Sequence, residues 1–219
     1  MEDYRENNQV TIAGVVEEAP VFNHEVYSEK FYIFTLRVLR LSEISDHIKV
    51  MISERLFGSE FDIQCGDHIQ VSGQFRSYNN YSGSGNRLVL TVFTKDIQRA
   101  DEAALENPNQ IFLDGFVCKE PVYRVTPFGR EIADILIAVN RSYNKSDYIP
   151  AIAWGRNARF CRDIKVGTHI RLWGRIQSRE YQKKLSEQEI VTKVAYEVSI
   201  GKMELEQQNL DNRILQEQN

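Results

Sequence analysis

The chain has 219 residues, 42% of them hydrophobic and 26% charged, an ordinary globular mixture with room for one large core or two small ones. No apolar run approaches the ~18–20 residues that span a bilayer. The acidic start, Met1-Glu2-Asp3-Tyr4-Arg5-Glu6, lacks the apolar core of a signal peptide, so a cytoplasmic, nucleoid-associated protein is expected. Three cysteines, Cys65, Cys118 and Cys161, are widely spaced and form no CxxC pair. They read as reduced, mostly buried thiols, with neither disulfide frame nor zinc site.

The net charge of −4 conceals two unlike halves. Residues 1–108 hold ten Lys/Arg and seventeen Asp/Glu, a net −7; residues 109–200 hold fifteen and ten, a net +5. The halves are also related in sequence. Laying 8–97 over 109–198 without a gap gives 20 identical pairs in 90 positions, all 101 residues apart. Among them are Asn8/Asn109, Gly14/Gly115, Arg40/Arg141, Asp46/Asp147, Arg55/Arg156, His68/His169 and Gly73/Gly174. A domain-sized period means two copies of one domain rather than a solenoid. The expected division is 1–99 for the first copy, 100–108 for a polar linker ending in Pro108, 109–204 for the second copy and 205–219 for a tail.

Each copy reads as mostly β. In the second, residues 111–117 alternate and stop near Glu120-Pro121, and 132–139 are rich in branched aliphatics. Residues 148–154 form a third run, 166–178 a long fourth and 190–200 a fifth. Between the third and fourth, 157–165 carry Ala158, Cys161 and Ile164 at helical spacing, closed by Gly167. Five strands with one short helix between the third and fourth is the OB-fold order. The expected fold is therefore all-β, two tandem five-stranded OB barrels with one short helix per repeat. A small sandwich would fit the strand count but not the helix.

Parity along the strands assigns faces. Ala151 and Ala153 suit an interior, leaving Tyr148, Ile152 and Trp154 outside. In the fourth run Ile170, Leu172 and Ile176 point in, and Arg171, Trp173, Arg175, Arg179 and Tyr181 point out. Bases stack on exposed rings and guanidinium groups track phosphates. The same residue types also concentrate at protein–protein interfaces, which is the competing reading.

Residues 147–154, 167–181, Asn109-Gln110 with Gly115 and Pro121, and 138–141 together resemble the bacterial single-stranded-DNA-binding protein family. The resemblance covers nearly all of 109–200 and extends weakly to 8–97. It implies base stacking on Tyr143, Tyr148, Trp154 and Tyr181, and four barrels per working unit, hence a homodimer of this chain. Trp173 rests on parity alone. Arg141, Arg156, Arg171, Arg175 and Arg179 complete the candidate nucleic-acid face.

In the first copy the four ring positions hold Ser42, His47, Ser53 and Asn80. Arg40, Arg55, Arg76, Tyr78 and Tyr81 remain as weaker candidates, the tyrosines bordering a Ser82-Gly83-Ser84-Gly85 loop. That barrel is expected to bind weakly or to pair subunits. The family's acidic tail tip closed by phenylalanine has no counterpart in 205–219, where a short helix or disorder is expected. Neither a phosphate-cradling glycine motif nor metal-spaced histidines nor a catalytic constellation stands out. No cofactor, metal, small-molecule substrate or membrane partner is expected. The expected function is sequence-tolerant binding of single-stranded DNA in replication, repair or recombination, without catalysis. The alternative is a replication-accessory or structural OB-fold protein working through protein contacts.

Overall fold

A computed structural model describes residues 7–40, 42–58, 61–79, 88–184 and 190–206. The tail beyond 206, Asn80, Tyr81 and the 82–85 loop lie outside the described residues.

The first repeat contains β1 (Asn8–Val16), β2 (Val21–Val26), β3 (Glu29–Leu39), β4 (Ser45–Ser53), β5 (His68–Asn79) and β6 (Leu88–Arg99). The second contains β7 (Asn109–Val117), β8 (Val122–Val125), β9 (Glu131–Arg141), β10 (Lys145–Trp154), β11 (His169–Lys184) and β12 (Ile190–Leu205). In each repeat five strands close on themselves. β1 pairs β3 and β5, β3 pairs β4, β5 pairs β6, and the ring closes through a parallel β4–β6 contact, Val50 opposite Val92. The second ring repeats this order and closes through Ala151 opposite Val198. β2 and β8 are outer hairpin strands on β3 and β9.

Branched aliphatics line both interiors, with Ile12, Leu36, Ile48, Ile52, Ile69 and Val71 in one and Leu113, Ile137, Ile149, Ile170 and Leu172 in the other. Closure brings strands so near at Gly73 and Gly174 that a Cβ would sit 2.1 Å from a carbonyl oxygen of the adjacent strand, Phe93 and Ser199 respectively. The repeated glycines are therefore steric requirements of the closed barrel.

Several expectations need correction. β8 was not anticipated. The second-copy helix α2 spans Arg156–Cys161, ending well before Gly167, which instead turns the chain into β11 with φ of 88°. Among the described residues the first copy has a 3₁₀ turn, Glu54–Leu56, in place of the expected helix, and the chain turns extended at Phe57. Residues 100–108 are not wholly irregular: Asp101 accepts from the Ala104 amide and caps a short helix, α1 (Glu102–Glu106). The cysteines are not mostly buried, since Cys65 is exposed, Cys118 intermediate and only Cys161 buried.

The barrels are not beads on a string. β1 pairs antiparallel with β7, Asn8 opposite Leu113 and Ile12 opposite Asn109, joining both repeats in one twelve-stranded sheet. That register maps onto itself when the repeats are exchanged. The structure thus has a pseudo-two-fold relation centred on Val10 opposite Ile111.

Candidate nucleic-acid interface

The pseudo-two-fold docks the fourth barrel strand of each repeat against the third strand of the other. The Ser178 amide donates to Asp46 Oδ1 at 2.7 Å, and the His47 amide donates to the Ser178 hydroxyl at 3.1 Å. In the mirror junction the Ser77 amide donates to Asp147 Oδ1 at 2.7 Å, and the Tyr148 amide donates to the Ser77 hydroxyl at 2.7 Å. Asp46 and Asp147 are 0% and 1% exposed. Asn8 and Asn109 each bridge their own barrel, to the Phe75 and Ile176 backbones. Much of the internal sequence identity is spent on closing barrels and joining them.

Each junction opens into a cleft built from both barrels. The first is lined by Arg40 of the first repeat and by Arg130, Trp154, Arg175, Gln177, Ser178 and Arg179 of the second. The second cleft is lined by Gln74, Arg76 and Lys95 of the first repeat and by Arg141, Ser142, Tyr143 and Lys145 of the second. Trp154 ends β10 and is 38% exposed; its indole N–H donates to Ser199 Oγ at 3.3 Å, which holds the ring in place. Ser199 lies opposite Arg175 on β11, so strand pairing brings that arginine close to the indole.

The two junctions differ electrostatically. Arg40 donates to both Asp46 oxygens, from Nε at 2.7 Å and Nη2 at 2.5 Å, and this hydrogen bonding raises its already high pKa. Arg141 reaches Asp147 through one contact at 3.2 Å, and Asp147 Oδ2 has no hydrogen-bond partner among the described residues. Desolvation accordingly pushes the Asp147 carboxyl above the usual range, opposed by the Ser77 amide and Arg141.

Residues 108–205 match the model of the single-strand binding protein family. The chain is 31% identical over 96 residues to Single-stranded DNA-binding protein A of Bacillus subtilis, covering 41% of this chain and 56% of that protein. It is also 31% identical over 96 residues to Single-stranded DNA-binding protein 3 of Clostridium acetobutylicum, covering 41% of this chain and 67% of that one. The chain belongs to the single-strand binding protein family. It spans 51% to 67% of the length of such curated relatives. The wild-type single-stranded DNA binding protein from Thermus aquaticus superposes with a TM-score of 0.72 at 17% identity, covering 92% of this chain and 94% of that one. This likeness shows a shared OB-type fold along nearly the whole chain.

Within this family member, the sequence-derived candidates fall into separate groups. Trp154, Arg175 and Arg179 meet in one cleft, joined by Arg40; Tyr143 and Arg141 lie in the other, joined by Arg76. Tyr143 is 94% exposed at the β9–β10 turn, where it and Asn144 take positive φ. Tyr148 is exposed on β10, whereas Ile152, expected beside it, is buried. Arg171 is engaged by Asp114 at 3.0 Å and Glu206 at 3.3 Å. Trp173 packs on Phe112 with centroids 5.1 Å apart, under the Lys202 ammonium. These two therefore face the β7–β11–β12 sheet surface and line neither cleft. Arg156 opens α2 in solvent, and Tyr181 is half-buried near the far end of β11. Tyr78 is exposed on β5 next to Ser77, while Arg55 pairs with Glu29 at 3.1 Å.

Sequence reading missed Arg130, Lys95 and Lys145. Arg130 follows a hairpin turn beside an unforeseen strand, and the other two matter only once the barrels are joined. Among the described residues, no group of three or more His, Cys, Asp or Glu is placed to hold a metal, and no helix is long and apolar enough to cross a membrane.

Proposed function

We propose that the chain binds single-stranded DNA with little sequence preference, through stacking on Trp154 and phosphate contacts from the arginines around it. The observation carrying this reading is the cleft in which one fixed, partly open indole is surrounded by Arg40, Arg130, Arg175 and Arg179. Every base presents a π-face, so an indole supplies affinity without reading sequence, while guanidinium groups meet the phosphates. The names of its relatives point the same way. Tyr143, Tyr148 and Tyr181 are proposed as further stacking positions along the strand's path. The work would be protection of exposed strands in the cytoplasm, at the nucleoid, during replication, repair or recombination, without catalysis.

Two barrels per chain suit a homodimer as the working unit. The β7–β11–β12 surface carrying Phe112 and Trp173 is its proposed contact, which would also account for Arg171 being engaged by carboxylates rather than free for phosphate.

Oligo(dT) titration of a Trp173→Phe protein tests the main reading, because the remaining tryptophan is Trp154. Quenching on binding is the expected result, with log K falling as log salt rises by about 0.7 per phosphate neutralised. An unchanged Trp154 signal at saturating oligo(dT) would overturn it.

A further inference from the structure

The first repeat carries net negative charge and lacks the four rings, which suggests a passive scaffold. The second junction cleft does not fit that role. Arg76 projects from β5 into it, with its guanidinium 3.9 Å above the Phe93 ring and a donated hydrogen bond to Gln74 Oε1 at 2.9 Å. Both contacts fix its direction and neither neutralises it. Among the described residues no carboxylate pairs with Arg76, and its buried Nε has no acceptor.

Arg141 and Lys145 of the second repeat and Lys95 of the first line the same cleft, with Tyr143 beside them. Asp147, the buried carboxylate of this junction, already accepts from the Ser77 amide and Arg141. Burial, together with the like charge of Arg141, makes the Arg76 proton easier to lose than usual, with the Asp147 carboxylate opposing. In the mirror junction Gln177 occupies the matching position and donates to Glu197 at 2.7 Å. There the neighbouring arginine is held bidentately by Asp46. Each cleft is lined by four cations, but in the mirror cleft Asp46 engages both Arg40 and Arg175 and Glu197 lies 3.8 Å from Arg179, whereas Arg76 has no carboxylate partner among the described residues.

We infer that the cleft formed by Arg76, Lys95, Arg141 and Lys145 binds backbone phosphates of a single strand whose base stacks on Tyr143. The first repeat then takes part in binding through the junction rather than through its own barrel face. This rests on the proposed single-strand binding and extends it to the first repeat.

The test is the salt dependence of full-length protein titrated with oligo(dT) of roughly 32 nucleotides, at up to about 16 per barrel. Arg76→Gln, which installs the residue of the mirror position, should lower the magnitude of the log–log slope by about 0.7. Lys95→Gln, on the neighbouring strand, should lower it by a similar amount. Trp154→Ala should reduce affinity while leaving the slope near the wild-type value. Wild-type slopes in both folded charge variants, with Trp154→Ala still weakening binding, would overturn this inference alone. Failure of the wild-type protein to bind oligo(dT) would overturn it together with the functional reading.

Discussion

The two barrels share a closed ring of strands, yet the surfaces they present at matching positions are opposed. Trp154 stands among arginines in the second barrel; its counterpart Ser53 donates its hydroxyl to Glu29 in the first. Glu29 itself occupies the place of Arg130 and also binds Arg55. Tyr148 corresponds to His47, whose ring contacts Glu17 at 2.8 Å, and Glu17 lies within 3.9 Å of Arg37. Carboxylates thus occupy the first barrel's face where a polyanion would have to lie. The interior tolerates little change because closure fixes the glycines and apolar volume. The exterior was free to diverge, so one scaffold supports both a cationic face and an acid-capped one.

Unequal junctions offer the largest test of this asymmetry. Asp46→Ala removes the bidentate partner of a half-buried Arg40 and the acceptor of the Ser178 amide. It should cost about 3–5 kcal/mol in denaturant unfolding. Asp147→Ala removes a more weakly held carboxylate and should cost about 1–3 kcal/mol. An equal or larger loss at Asp147 would remove the claimed difference.

A smaller effect concerns pH. The Asp147 carboxyl is raised by desolvation, so the folded state takes up its proton more readily than the unfolded chain does. This group therefore favours folding increasingly as pH falls through the carboxylate range. Asp67 in the first repeat is shifted down by Arg99 and the Gln64 amide; its contribution is present above the unfolded value and lost as pH falls. Relative to wild type, Asp147→Asn should lose stability on acidification and Asp67→Asn should gain. Unfolding curves from pH 7 to pH 4 in which the two variants shift alike would contradict these environments.

The least demanding contrast is thiol reactivity. Cys65 is exposed in the first repeat, whereas burial pushes the Cys161 thiol up to about 11. A neutral-pH thiol reagent should label Cys65 first and reach Cys161 only on unfolding. Equal labelling rates in folded protein would place Cys161 nearer solvent.

Strand periodicity made the barrels legible, because Ile170, Leu172 and Ile176 alternate with polar neighbours and the glycines recur. β8 was invisible, since in Val122–Val125 Tyr123 alone is half-buried and the two valines are exposed, which leaves no apolar alternation to show. The junctions were written into the sequence as repeated residues, Arg and Asp six apart at 40/46 and again at 141/147. Their meaning depends on partners more than 130 residues away for Asp46 and about 70 for Asp147, which no local period encodes. For the same reason parity placed Arg171 and Trp173 on the binding face, while the residues that engage them lie on β7, on β12 and at Glu206.

The most direct measurement compares matching positions in the two barrels. Trp154→Ala and Ser53→Ala would each be titrated into labelled oligo(dT) and followed by anisotropy, with folding checked by circular dichroism. A base on an aromatic ring contributes roughly 1–3 kcal/mol, and each 1.4 kcal/mol is a factor of ten. Trp154→Ala should bind about tenfold more weakly or worse, and Ser53→Ala should bind as wild type does. A folded Trp154→Ala protein with wild-type affinity, or an equal loss at Ser53, would contradict the assignment of the stacking face to the second barrel.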